Sequence, residues 1–257
     1  MAASPLKRFA LRAAILLAAT TAALSSDIQV PAPQSPASPA EFQFVRMIFS
    51  DNSFARGRGE AWLTDWPDAE QYLIRGLKRL TRIDVAGEGN YMAIMDERLF
   101  DYPWIYAVEV GYWYLSDAEA ARLRDYLLRG GMLVVDDFHG SQEWASFTEN
   151  MRRVFPDRPI VDIPPDDPVF HVAFDLVDHV QIPGIQSLYT GRIFERDGYE
   201  PHWRGIYDDD GHLMVVINHN MDLGDAWEHA DVPEYALTYT TRAYQYAINY
   251  ILYAMSH

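Results

Sequence analysis

Short apolar runs and stripes of helical spacing alternate along most of the chain. Residues 42–49 (Phe-Gln-Phe-Val-Arg-Met-Ile-Phe) predict a first strand, and polar Ser50, Asp51 and Asn52 end its apolar run. Asp65 ahead of Pro67 marks a helix start. Ala69, Leu73, Leu77 and Leu80 then recur at helical spacing, so a helix is expected over 66–80 with that stripe facing the sheet. A short strand is expected at 82–85, then a turn at Gly87-Glu88-Gly89, and a further strand at 104–110. Ser116 with Glu119 reads as a capping box, the serine accepting an early helix amide while the glutamate reaches back; Ala120, Leu123 and Leu127 then share one face. Gly130-Gly131 suit the left-handed conformation that closes a helix, and Met132-Leu133-Val134-Val135 reads as a strand covered on both faces.

A third helix is expected from Gly140 to about Val154, with Trp144, Phe147 and Met151 on its buried stripe, and another strand at 159–163 before Pro164 and Pro165. This alternation predicts an α/β fold: a mainly parallel, flavodoxin-like sheet built by right-handed crossovers, with helices on both faces. Beyond Asp166 the pattern changes to extended pieces around Gln181 and Tyr189, and to runs at 203–207 and 213–217 joined by the turn Asp208-Asp209-Asp210-Gly211. An antiparallel extension of the sheet is the reading, followed by a long loop over 218–234. A last helix carries Ala243, Ala247, Ile251 and Ala254 at near-helical spacing.

The 257 residues, 49% hydrophobic and 14% aromatic, suffice for a real core. Lys7, Arg8 and Arg12, the apolar run 13–24 and small Ala23 and Ser25 form the three parts of a secretory signal, so export to a periplasmic or extracellular space and cleavage after Ser25 are expected. The run is too short to span a bilayer, and no membrane insertion is expected after cleavage. Residues 26–40 hold four prolines among Ala, Ser and Gln and read as an extended linker; a single domain then occupies 41–257. The formal charge of −16 argues against nucleic acid as a partner, and the absence of cysteine excludes disulfides and thiol nucleophiles.

Candidate chemistry gathers where the central strand ends, at Asp136-Asp137-Phe138-His139. Ligands bind outside the carboxyl ends of parallel strands, and two carboxylates with an imidazole there suit acid–base work or a divalent metal, for which Asp136 and His139 are the first donors. A structural alternative stands beside this: Asp137 caps the next helix or pairs with Arg129, and His139 is a turn residue. Glu109 ends an apolar strand and needs a partner or a use there. His202 and Arg204, and His219 and Asn220, offer further ligand-binding groups, each with a hydrogen-bonded structural role as the alternative. Asp65, Glu143, His171, Asp225 and His229 rank below these as loop carboxylates and isolated histidines. No phosphate-cradling loop, dinucleotide fingerprint, two-histidine zinc helix or serine elbow is present, and Ser141 just past the turn has no matching motif. Nucleotide cofactors are therefore not expected.

The segments 42–50, Asp65-Trp66-Pro67, Tyr102-Pro103-Trp104-Ile105-Tyr106, Gly130-Gly131 through Gly140, Phe155-Pro156-Asp157-Arg158-Pro159 and Asn218-His219-Asn220-Met221-Asp222 resemble the bacterial DUF4159 family, over about 41–257. The resemblance implies a class I glutamine amidotransferase-like domain, related to ThuA-like proteins associated with sugar metabolism, and supplies no established reaction. In that superfamily the glutaminase nucleophile sits at a strand-to-helix turn. Its equivalent here is 137–140, without a thiol, which excludes thioester chemistry. A histidine tends to occupy this turn in ThuA-like proteins, which is what places His139 first. The expected function is binding of a polar small molecule or saccharide in the strand-end crevice, with metal-assisted hydrolysis in view. The seven Trp and sixteen Tyr make ring stacking available. The alternative is a non-catalytic interaction module of a cell-envelope assembly, which an apolar patch away from the crevice would favour.

Overall fold

The computed structural model describes residues 40–55 and 59–256, so the expected signal and nearly all of the linker lie outside the described residues. In chain order the elements are β1 (Val45–Ile48), β2 (Ser50–Asp51), α1 (Asp68–Leu80), β3 (Asn90–Ala93), β4 (Trp104–Val108), β5 (Trp113–Tyr114), α2 (Asp117–Leu128), β6 (Met132–Asp136), α3 (Gly140–Val154), β7 (Val161–Asp162), α4 (Ser187–Thr190), β8 (His202–Tyr207), β9 (Leu213–His219), α5 (Leu223–Glu228) and α6 (Leu237–Ser256). Seven strands form one sheet in the order β3-β1-β4-β6-β9-β8-β7, and β2 pairs with β5 in a separate antiparallel ribbon. The first five are parallel, and β8 and β7 extend the sheet antiparallel. Counted along the chain, the parallel strands run 2-1-3-4-5, the flavodoxin-type order.

Strand alternation divides the core into two layers. Phe44, Tyr106, Val108, Val134 and Val216 face the layer containing α1, α5 and α6, whereas Val45, Ile105, Ala107, Leu133, Val135 and Ile217 face the layer containing α2 and α3. Every residue of β4 and β6 is buried, which explains their unbroken apolar runs. Each such side chain contributes about 1.5–3 kcal/mol by leaving water. The capping box forms as read: Glu119 N–H donates to Ser116 Oγ at 3.3 Å and Ser116 N–H to Glu119 Oε2 at 2.8 Å. Gly130 takes φ 96°, and a Cβ on Gly131 would lie 2.3 Å from the Tyr126 ring, so the glycine pair both turns the chain and lets β6 start against α2.

Several expectations are corrected. The strand expected at 82–85 reduces to one bridge, Val85 with Phe42, and the parallel partner of β1 is instead β3, after the glycine turn. The run at 159–163 shortens to β7, which is exposed and antiparallel to β8. Pro159, Pro164 and Pro165 lack amide donors, and β9 takes the central place beside β6. Tyr189 lies in the short helix α4, not in an extended piece. The loop expected over 218–234 contains the end of β9 and all of α5, whose start is capped by Asp222. Leu80 is 61% exposed because α1 ends beyond the sheet there. Trp144 is only half-buried, covering Phe138 and His219.

Candidate functional site

Three neighbouring parallel strands end in the same manner. The first residue past each strand of β4 and β6, Glu109 and Asp137, and the first past β9, Asn220, all adopt positive φ, at 50°, 49° and 65°. Sheet-like hydrogen bonds continue between these turns: Glu109 N–H donates to Asp137 O, Asp137 N–H to Met221 O, and Asn220 N–H to Phe138 O, at 3.0–3.1 Å. Left-handed backbone is costly for non-glycine residues and collects at functional sites. Among the described residues the other two are Asp65 and Arg196. Asp65, Glu109, Asp137 and Arg196 all line one cleft of about 250 Å³ at this edge, joined by His139, Glu143, Glu195, Asp222 and Asp225.

The cleft is strongly acidic. Its lining includes seven carboxylates, from Asp65, Glu109, Asp137, Glu143, Glu195, Asp222 and Asp225, against Arg196 and His139. Arg196 is already engaged, with Glu143 at 2.6 Å and the Tyr112 hydroxyl at 2.5 Å. His139 Nε2 lies 3.2 Å from Asp137 Oδ1 and 3.6 Å from Glu195 Oε1, while its buried Nδ1 has no hydrogen-bond partner. Burial disfavours the His139 cation, but the bond to Asp137 and the charges of Glu195 and Glu143 outweigh it and raise the ring's pKa. Burial first, then the charges of Asp137 and Glu143, raise Glu195 despite the opposing pull of His139.

A second carboxylate group sits in the same cleft. Asp222 is 3% exposed, and burial followed by the charges of Asp137, Asp225 and Asp65 holds it well above the usual carboxylate range. Asp65 is raised likewise by burial, then by Asp137 and Asp225. Asp225 moves the other way: burial opposes its charge, but the His229 contact at 3.3 Å and the Ile185 amide stabilise the anion and lower it. Donor atoms of Asp137, His139 and Glu195 converge within 4.8 Å of one another, and those of Asp65, Asp222 and Asp225 do the same. Oxygen-rich sets of this kind suit hard divalent cations, and an imidazole among them extends the range to manganese or zinc.

Asp136 lies beneath the cleft. Its Oδ2 accepts from the Tyr106 hydroxyl (2.8 Å), Leu223 N–H (2.7 Å) and Gly224 N–H (3.1 Å), so the carboxylate anchors the start of α5. Burial, then Asp137, pushes it up to about 7. Asp137 neither caps α3 nor meets Arg129, which pairs with Asp125. The amides at the start of α3 are filled by other groups: His139 N–H donates to Glu143 Oε2, Gly140 N–H to Asn220 Oδ1, and Ser141 N–H to Asp197 Oδ1. Ser141 Oγ donates to Asp197 as well.

His202, Arg204 and His219 gather outside the cleft. His219 packs on Phe138, Trp144 and His202 and its Nε2 meets Gly140 O at 3.2 Å, while Arg204 stacks over Trp144 and pairs with Asp162. His171 pairs with Asp175 in a separate loop. Sequence reasoning ranked Asp65 and Asp225 low and did not single out Glu195 or Arg196, which lie in an irregular segment with no periodic signal. The Asp222/Asp225 spacing ahead of the apolar part of α5 was the one available cue. No phenylalanine, tyrosine or tryptophan ring lines the cleft among the described residues. No helix among them is long and apolar enough to cross a membrane.

No curated protein matches the chain at a significant level. A family model described as a domain of unknown function, DUF4159, matches residues 51–255, covering every strand of the seven-stranded sheet except β1 together with every residue that lines the cleft, and the chain belongs to that family.

Proposed function

We propose that the strand-end cleft binds a divalent cation through Asp137, His139 and Glu195 and, with it, a polar small molecule such as a saccharide presenting hydroxyl oxygens, for hydrolysis. The observation that carries this reading is the convergence of these three donor groups within 4.8 Å in a cleft lined by seven carboxylates against one arginine and one histidine. Buried carboxylates without partners are costly, and a cation removes that cost. When bound, it would act as a Lewis acid on a ligand oxygen. The protein's own part is to orient the ligand: Gln186 holds Glu195 by donating to its Oε1 at 2.6 Å, and the remaining carboxylates accept from hydroxyls. Glutaminase chemistry does not fit, because the chain has no thiol and the α3 amides that would receive an oxyanion are engaged by side chains. The 2-1-3-4-5 strand order supports kinship with amidotransferase-like and ThuA-like domains. Export with cleavage near Ser25 is part of the reading, and N-terminal sequencing of protein from an envelope fraction tests it.

The test of the site is a thermal-shift titration with Mn²⁺, Zn²⁺ and Mg²⁺, then with a panel of sugars and small acids at saturating metal. Parent protein should be stabilised by at least one cation, and Asp137→Asn and His139→Ala should lose the part of the shift given by Zn²⁺, the ion among the three that most favours an imidazole ligand. No shift in the parent with any cation would overturn the reading. A second reading, an interaction module, is favoured by a groove of about 630 Å³ between α1 and α6, lined by Tyr72, Leu80, Leu237, Tyr244 and Ile248. Under that reading the groove is the working surface, and cations leave stability unchanged.

A further inference from the structure

The cleft holds more negative charge than one divalent cation balances. With Arg196 committed to Glu143, one cation at Asp137, His139 and Glu195 still leaves Asp65, Asp222 and Asp225 crowded together, helped by His229 on the outer side of Asp225 and by the charge of Arg46 near Asp65. Asp65 Oδ2 has less than 1 Å² of accessible surface and no hydrogen-bond partner. It faces its neighbours: a Cβ built on Gly224 would lie 2.7 Å from Asp65 Oδ2 and 3.6 Å from Asp222 Oδ1. A Cβ on Gly184 would lie 2.6 Å from Asp222 Oδ2 and 2.8 Å from Asp225 Oδ2. Two glycines thus bring backbone against the three carboxylates, where Gln186 Oε1 and the Tyr106 hydroxyl also converge. The carboxylates are also oriented from behind, as metal ligands are: Asp222 Oδ1 accepts from Asp225 N–H, and Asp225 Oδ2 accepts from Ile185 N–H at 2.6 Å.

From the orphaned Asp65 oxygen and this geometry, we infer that Asp65, Asp222 and Asp225 form a second divalent-cation site in the same cleft. The site is all oxygen and therefore selects a hard cation, Mg²⁺, Ca²⁺ or Mn²⁺, whereas the set containing His139 also accepts softer ions. The resulting stoichiometry of two cations per chain rests on the proposed function above; the Asp65 site itself does not. Two cations beside one another would let the cleft hold two oxygens of one ligand, as in sites that transfer or hydrolyse at a tetrahedral centre.

The experiment is Mn²⁺ titration of the metal-free full chain, followed by electron paramagnetic resonance and calorimetry. The parent should bind two ions, and Asp65→Asn and Asp225→Asn should each bind one, as should His139→Ala. Ca²⁺ should raise the Tm of His139→Ala as it does the parent, but not that of Asp65→Asn. A parent that binds one ion, lost in His139→Ala and kept in Asp65→Asn, overturns the second site and leaves the first. One ion lost in Asp65→Asn and kept in His139→Ala supports the second site and overturns the first. No Mn²⁺ binding overturns both. Should an aspartate variant fail to fold, the parent and His139→Ala titrations decide alone: one ion remaining in His139→Ala supports the site, and none overturns it.

Discussion

Two groups of buried charge lie within one fold and are treated in opposite ways. In β1, Arg46 is fully buried against equally buried Glu70 of α1, and its guanidinium also donates to Trp62 O and Thr64 O. At the strand ends, Asp65, Asp137, Asp222 and Asp225 crowd together with little opposing charge. The first arrangement matches each charge with a partner and ties α1 to the sheet. The second concentrates one sign, with Asp65 and Asp137 on backbone held at positive φ. Compensation marks the structural pair; crowding of one sign is what the proposed cation sites rest on.

The largest effect should come from breaking the compensated pair. Arg46→Met or Glu70→Leu alone should cost about 3–5 kcal/mol in chemical denaturation, because each strands a buried charge, while the double variant should recover most of the loss. If either single variant were near neutral, the contrast drawn here would fail.

Next is the acid response of His219, a buried group that meets the problem by staying neutral. Burial first, with help from Arg204, lowers its pKa to about 3 despite the Gly140 carbonyl. The unfolded chain takes up a proton below its ordinary value near 6.5 while the folded chain does not, so stability falls as pH drops from that value toward 3. The loss should reach about 3 kcal/mol at pH 4. His219→Phe should flatten that limb of a Tm–pH profile.

A smaller change of opposite sign is expected at the site. In metal-free buffer Asp65→Asn should raise stability by about 1 kcal/mol, the scale of one like-charge contact at 4 Å even in water. With saturating Mn²⁺ the ranking should reverse. Destabilisation by Asp65→Asn without metal would mean that this carboxylate is structural. The smallest effect serves as a control. Ser116→Ala removes a half-buried capping hydroxyl at the start of α2 and should cost about 1 kcal/mol with no change in cation response.

Periodicity carried the α/β class, the helices α1, α2, α3 and α6, and the 8–9 hairpin, because amphipathic stripes and capping residues act within a few neighbours. The turn after β6 was also legible, since a strand followed by Asp136, Asp137 and His139 announces a polar strand end wherever the strand lies. What each of those residues does was not. Asp136 and Asp137 are adjacent, yet one is turned under α5 and the other into the cleft, a division made by strand alternation and by the arrival of α5 from 87 residues further on.

The chain's own order therefore determined the layers, the capping, the acidic character and the exclusion of thiol chemistry. Only tertiary structure decided the site. Asp65 and Glu195 come from irregular segments and Asp222 and Asp225 from the start of short α5, and they meet because the 2-1-3-4-5 strand order brings the ends of β4, β6 and β9 side by side. The same assembly removed His202, Arg204 and His219 from the cleft, seating Arg204 and His219 over Trp144 and His202 on His219. Local pattern reports which face of an element is buried; which loops then share a cleft depends on long-range strand pairing, and that information is distributed over the whole sheet.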